Sequence, residues 1–315
     1  MNELERIEAL ASHFGAAGPG VRVGIGDDAA VFEAGKGALV WTIDAQVEGT
    51  HFKTEWVSWE DIGWRSFMAA ASDLAAMGAE PAYALSALVL APSVDDAALD
   101  ALARGQAAAA RTVGAPVIGG NLARGKETSI TTTLLGRAEK PIARSGARPG
   151  DGIWLAGDVG LAAAGLLALM HGVQDARISA ALEAWRRPRA RIEAGRELAR
   201  SSAVTAAIDV SDGLARDADH IAQASHVSFV FDRDRLLAHG GASLITTAGT
   251  LGRDALDLAL YGGEDYALLV TSAAPIPGFS RIGDVEALEP GGARLHTRGP
   301  EGKLPLEPRG FDHFA

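Results

Sequence analysis

Hydrophobic and polar positions alternate, or crowd into β-rich runs of strand length, at residues 37–43, 82–91 and 129–137. Between these runs, apolar positions recur with helical spacing over residues 59–77 and 94–113. The first half of the chain is therefore expected to mix helix and strand. A turn-rich stretch follows, Arg144-Ser-Gly-Ala-Arg-Pro-Gly-Asp-Gly, and then a new strand at 153–156. A cut there divides the chain into domains 1–143 and 144–315. In the second, Gly157-Asp-Val-Gly leads into an Ala/Leu helix, residues 189–200 read as a basic helix, and 206–210 as a short strand before another helix. Further strands fit 228–231 and 266–270. The pattern holds no internal repeat, heptad array or low-complexity tail. The expected fold class is α+β in two domains, a mixed-sheet N-terminal domain and an αβ C-terminal domain.

Composition narrows what such a fold can do. A chain of 315 residues with 48% hydrophobic content can bury a substantial core. Its longest apolar stretches, 82–92 and 161–170, fall short of the about 20 residues that cross a bilayer. The N-terminal MNELERIEALASHFG reads as an amphipathic helix, not a secretory leader, so no membrane partner and a cytoplasmic location are expected. Cysteine is absent, which excludes disulfides, thiolate nucleophiles and Cys-ligated zinc. The balance of 29 Lys+Arg against 40 Asp+Glu gives a net charge of -11, which repels nucleic acid. An anionic small substrate meets the same repulsion unless bound cations invert the local field.

Two glycine-rich segments imitate nucleotide motifs. Gly24-Ile-Gly-Asp-Asp-Ala fits G-x-G-x-x-A, but a strand-like Ala-Ala-Val-Phe follows where that motif needs a helix. Gly120-Asn-Leu-Ala-Arg-Gly-Lys-Glu127 nearly spells a phosphate-binding loop, yet it ends in Glu where a hydroxyl is needed and leads into a β-rich run. Both matches are rejected as written.

The aspartates carry more information. Asp73 lies in the helical pattern with Ala69, Ala70, Ala76 and Met77 three and four residues away, so it projects from an apolar face or reaches solvent at its edge. Asp44 ends a strand-like run, as a cleft residue or a turn residue. In Asp209-Val-Ser-Asp212-Gly, which opens a helix, Ser211 or Asp212 serves equally as an N-cap. Asp27 and Asp28 sit in a glycine-rich turn, where loop composition also accounts for them. Collectively, these carboxylates border apolar elements, and burying like charges together is unfavourable without cations. Oxygen donors with no Cys and no paired His suit Mg²⁺, which shares its shell with substrate phosphates. That combination points to ATP chemistry.

Seven ordered segments then resemble the thiamine-monophosphate kinase family of the aminoimidazole ribonucleotide synthetase-like superfamily. They run from Gly24-Ile-Gly-Asp-Asp-Ala through Thr42-Ile-Asp-Ala-Gln-Val-Glu-Gly-Thr-His-Phe52, Ser72-Asp-Leu-Ala-Ala-Met-Gly-Ala79, Arg144 to Asp151, and Ile208-Asp-Val-Ser-Asp-Gly213. Gly262-Gly-Glu-Asp-Tyr266 and Gly310-Phe-Asp-His-Phe314 complete the set. The resemblance implies that Asp28, Thr42, Asp44, Asp73, Asn121, Asp209 and Asp212 hold Mg²⁺, with Asp44, Asp73 and Asp209 central to catalysis. It implies that Gly120, Asn121, Arg144 and Ser211 contact ATP, and that His51, Glu264 and Phe311 contact thiamine monophosphate. On sequence alone His51 serves equally as a packed His, Glu264 as a turn residue and Phe311 as a cover for apolar surface. The implied reaction is direct transfer of the ATP γ-phosphoryl group to thiamine monophosphate, in a homodimer whose N-terminal domains share a β-barrel. The chain departs from the family in having Ile43 before Asp44 where Thr is common, and Gly119-Gly-Asn121 where Gly-Gly-Asp is common, so weaker metal affinity is expected at one position. Another ATP-using synthetase of the superfamily and an inactive nucleotide-binding relative are the alternative readings.

Overall fold

The structure, a computed structural model, describes residues 3–14, 20–23, 31–32 and 35–312. The chain divides into two compact units: Met1–Leu74 with Ala79–Lys140, and Ala75–Gly78 with Pro141–Ala315.

The first unit contains α1 (Glu3–Phe14), β1 (Val21–Val23), β2 (Val31–Phe32), β3 (Ala38–Val47) and most of α2 (Trp59–Ala76). It continues with β4 (Glu80–Leu90), α3 (Asp96–Val113), β5 (Val117–Arg124) and β6 (Ser129–Ala138). β1 and β2 form an antiparallel ribbon, and the other strands a four-stranded sheet in the order β3-β6-β4-β5. Only β4 and β5 run parallel, joined by the α3 crossover that a parallel pair requires. Asp95 caps the start of α3 by accepting the Ala98 N–H at 2.8 Å, and Gly114 ends it in the left-handed conformation at φ 83°. Burial of Phe67, Met68, Leu74, Leu102, Ile130 and Leu134 forms the core of this unit. Among the described residues the sheet is open, with β3 and β5 at its edges, and it closes no barrel.

The second unit begins with β7 (Gly152–Ala156), α4 (Leu161–Met170), α5 (Ser179–Arg186), α6 (Ile192–Arg200), β8 (Val204–Val210) and α7 (Leu214–Ser225). Next come β9 (Val227–Asp232), α8 (Arg233–Leu251), α9 (Ala255–Tyr261), β10 (Ala267–Ser272), β11 (Ser280–Ala287), β12 (Leu295–Gly299) and β13 (Gly302–Pro305). These strands form a seven-stranded sheet, β13-β12-β9-β11-β7-β10-β8, antiparallel except where β12 lies beside β9. Ile153, Leu155, Ile208, Phe229, Phe231, Leu269 and Ile282 carry its main core, against Leu214, Ala218 and Ile221 of α7.

The strands expected at 37–43, 82–91 and 129–137 are β3, β4 and β6, and the two helical patterns are α2 and α3. The basic helix starts at Ile192, not 189, and residues 188–191 before it, led by Pro188, lie outside regular secondary structure. No described helix is long and apolar enough to cross a membrane.

Candidate functional site

In the first unit, the register of β3 places Thr42, Asp44 and Gln46 on one face. Asp44 pairs with Thr132, which pairs with Ser86, which pairs with Gly120, so these four form one row across the sheet. Ser86 Oγ donates to Gln106 Oε1 of α3 at 3.0 Å, which fixes this as the helix-covered side. Asp73 meets the same side from α2, where the Thr42 hydroxyl donates to its carboxylate. The apolar face that singled out Asp73 is thus real, with Ala69, Ala70 and Leu74 buried and Asp73 half-buried at its border. Asn121 pairs with Ala87, one row over, and therefore sits on the opposite face from Asp44. A Cβ on Gly120 would collide with the Ser86 carbonyl oxygen, so this glycine is needed for β4 and β5 to approach. His51 follows β3 in a turn, and its Nδ1 accepts the Val47 N–H at 3.1 Å, which leaves the proton of the neutral ring on Nε2. Asp28 lies outside the described residues.

The second unit draws several motif segments into one cluster. β8 ends on buried Asp209 and Val210, and Ser211 and Asp212 turn the chain into α7. The Glu264 N–H donates to the Ser211 carbonyl at 2.7 Å, and the Tyr266 N–H to the Val210 carbonyl at 2.8 Å. The Phe311 N–H donates to the Asp212 carbonyl at 2.9 Å. A Cβ on Gly263 would stand 2.5 Å from the Ser211 oxygen, so a glycine there permits the close approach. Asp209, Ser211, Asp212, Glu264 and Phe311 are thereby neighbours, although 54 sequence positions separate Val210 from Glu264. The Phe311 ring is 49% exposed, so it does not act as a buried cover. Arg144 is exposed in the same unit, and its carbonyl accepts from Ser225 Oγ at the end of α7 at 3.3 Å. Burial, and then the charges of Arg144 and Arg216, pull the His220 pKa down.

Two buried carboxylates in this cluster escaped the sequence reading. Asp217, in the first turn of α7, accepts the N–H groups of Ser211 at 3.0 Å and Asp212 at 3.1 Å. Burial, then repulsion from Asp209 and Asp212, raises its pKa to about 8. Asp265 accepts the N–H groups of Gly160 at 2.7 Å and Ala162 at 3.0 Å, at the N-terminus of α4. Burial raises its pKa to about 7 despite those two bonds. Trp185, also unread, is buried and donates from Nε1 to Glu264 Oε2 at 2.5 Å. A signal was present for Asp217, which lies five residues beyond Asp212 in the first turn of the expected helix.

The donor chemistry fits a hard divalent cation, since both acidic groups offer oxygen alone. In the first unit Gln46 Oε1 and Thr132 Oγ1, on the same face as Thr42 and Asp44, are buried without a hydrogen-bond partner. Among the described residues, however, no three His, Asp or Glu side chains converge closely enough to hold an ion by themselves.

Comparison with known proteins extends these local observations to the whole chain. Residues 26–138 match the N-terminal domain, and residues 148–274 the C-terminal domain, of AIR synthase related proteins. The thiamine-monophosphate kinase of Aquifex aeolicus is 31% identical over 296 residues, which cover 92% of each chain. The chain belongs to the thiamine-monophosphate kinase family. The family member from Mycobacterium tuberculosis is 34% identical over 271 residues, 84% of this chain and 79% of that one. Among solved structures, AaThiL complexed with AMPPCP and TMP superposes with a TM-score of 0.79 at 30% identity, covering 88% of this chain and 87% of that one. Thiamine-monophosphate kinase from Stenotrophomonas maltophilia K279a gives 0.80 at 33% identity, covering 94% and 95%. Membership accounts for all seven motif segments being present in order, including Gly24-Ile-Gly-Asp-Asp-Ala and the last two residues of Gly310-Phe-Asp-His-Phe314, which lie outside the described residues.

Proposed function

We propose that this protein is an ATP-dependent kinase that transfers the γ-phosphoryl group directly to thiamine monophosphate, giving thiamine diphosphate and ADP. The observation that carries this reading is the convergence of the Asp209–Asp212 turn, the Glu264 loop and the Phe311 tail through three backbone hydrogen bonds. Family membership supplies the chemistry that such a cluster serves.

On this reading Glu264 and Phe311 hold thiamine monophosphate, together with His51 in the first unit. Glu264 is positioned by Trp185, and its anionic carboxylate suits a cationic ligand. Phe311 offers an aromatic face to the thiamine rings. Arg144 and Ser211, with the Gly120–Asn121 backbone, contact ATP. Thr42, Asp44 and Asp73, with Asp28, Asp209 and Asp212, are the candidate Mg²⁺ ligands, of which Asp44, Asp73 and Asp209 are central; the Asn121 amide, on the opposite face of the sheet from Asp44, is left out of that set. Bound Mg²⁺ neutralises charge on the phosphates. No side chain has to act as general base, because the second pKa of a phosphate monoester, about 6, leaves the nucleophilic oxygen ionised near neutral pH. The protein's task is to align two anions and exclude water.

The residues 1–143 act as metal-binding and dimerising domain and 144–315 as the αβ partner domain. Two copies pair through the exposed apolar face of the four-stranded sheet, forming a shared barrel. We place the enzyme in the cytoplasm, where ATP is available.

The deciding assay incubates the protein with ATP, Mg²⁺ and thiamine monophosphate, with and without EDTA, and resolves the products by chromatography. Equal amounts of thiamine diphosphate and ADP, abolished by EDTA, are the expected result. ADP alone assigns the chain to another ATP-dependent reaction, and neither product assigns it to nucleotide binding. Asp44→Ala or Asp73→Ala should lower turnover by about 10² or more while the far-ultraviolet circular dichroism is preserved.

A further inference from the structure

The loop that carries Glu264 is held by a contact that the phosphoryl-transfer reading does not use. Glu264 and Tyr266 both adopt positive φ, 64° and 50°, a conformation that costs a non-glycine residue free energy and persists only where its surroundings enforce it. Asp265 stands between them, 7% exposed, and spends each carboxylate oxygen on one backbone N–H at the start of α4. That helix has Gly160 at its N-cap and no capping side chain of its own. Its cap comes from 105 residues downstream. A residue at positive φ on each side accompanies the turn of the Asp265 side chain towards α4, while the flanking N–H groups of Glu264 and Tyr266 reach the carbonyls of Ser211 and Val210. The Asp265 side chain thus ties the 262–266 loop to α4, while the flanking backbone ties the same loop to the β8–α7 turn.

We propose that Asp265 is a positioning residue for thiamine monophosphate: by capping α4 it fixes the loop conformation that presents Glu264 to the substrate. The proposal rests on the reading of Glu264 as a substrate contact, and the test separates the two. Asp265→Asn keeps one acceptor oxygen of the two and the side-chain volume, so the variant retains the fold, and Asp265→Ala removes both.

Amide hydrogen exchange of the full chain, followed residue by residue, reads the positioning without any substrate. In Asp265→Asn the amides of Gly160, Ala162, Glu264 and Tyr266 should exchange about ten-fold faster or more, with those of β7 and β10 unchanged. Unchanged exchange at Glu264 and Tyr266 overturns the proposal, whatever the enzyme's substrate. Steady-state kinetics then read the consequence. Asp265→Asn should raise KM for thiamine monophosphate about ten-fold and leave KM for ATP within about two-fold. In a double-mutant cycle, Asp265→Asn combined with Glu264→Gln should be no worse in KM than Glu264→Gln alone, because both act through one contact. Fully additive losses overturn the proposal. A Glu264→Gln variant with unchanged KM instead removes Glu264 from the substrate site and leaves the exchange result to decide whether Asp265 sets the loop.

Discussion

Asp265 is a carboxylic acid whose environment opposes its charge. Burial is the largest influence, Asp158 and Glu264 add like charge, and the Gly160 and Ala162 N–H groups favour ionisation without overcoming the rest. Arg191, whose pKa is pulled down mainly by burial, lies within electrostatic reach of both Asp158 and Asp265. The folded-state pKa of about 7 lies above the unfolded value near 3.8, so the folded protein binds the extra proton between those limits. The stability this group contributes is present in full below about pH 4 and is lost as pH rises through about 7. The melting-temperature difference between the wild type and Asp265→Asn should therefore shift in favour of the wild type when pH drops from 8 to 5. A difference independent of pH would mean that Asp265 is ionised throughout. The contrast with Asp73 explains what a sequence can reveal about such residues. Asp73 was legible because its apolar neighbours lie one helical turn away. Asp265 was not, because its partners are backbone amides more than 100 positions distant and carry no side-chain signature.

Whole elements were legible wherever alternation or helical spacing was strong. The runs that became β3, β4 and β6 alternate between a helix-covered and an open face, and the periodicity over 94–113 became α3, whose Asp95 and Gly114 caps the structure adds. β5 was not read as a strand, because Gly119-Gly120 removes two side chains from its pattern. α8 was hidden similarly, by Gly240 and Gly241, and the helix is kinked where Gly241 has φ 64° and ψ -169°. β11, β12 and β13 carry mixed, charged sequences whose strand state comes from pairing across the sheet. The rejected phosphate-loop match at 120–127 falls on the end of β5 and the turn into β6, with no helix after it. Gly120 is thereby given an architectural role in addition to the ATP contact implied for it. Gly120→Ala should lower stability in the absence of nucleotide by about 1–3 kcal/mol, measured by urea unfolding, since the added methyl meets β4 backbone. An unaltered midpoint would show that β5 shifts freely, and any activity defect would then belong to nucleotide binding.

At the scale of the molecule, the open face of the four-stranded sheet asks for a partner. Tyr83, Ile118 and Leu135 form a small cluster there with Val21, Ala82 and Leu85 packed against it. Towards the β3 edge the cover ends, and Leu39, Trp41 and Ile43 stand 49%, 73% and 70% exposed in alternate positions of one strand. That strand pairs on one side only among the described residues, so it offers unpaired backbone groups as well as apolar surface. A second copy can satisfy both demands at once, and Ile43, which departs from the residue common in the family, then adds to the apolar contact rather than to a metal shell. Ile43→Lys places a charge at the centre of that contact and removes no polar side chain from the single chain. Burying an unpaired ammonium costs several kcal/mol, so the variant should sediment as a monomer at micromolar concentration while the wild type sediments as a dimer. Its melting temperature should then depend less on protein concentration than that of the wild type. A wild-type chain that sediments as a monomer overturns the dimer. A variant that remains dimeric moves the interface away from β3.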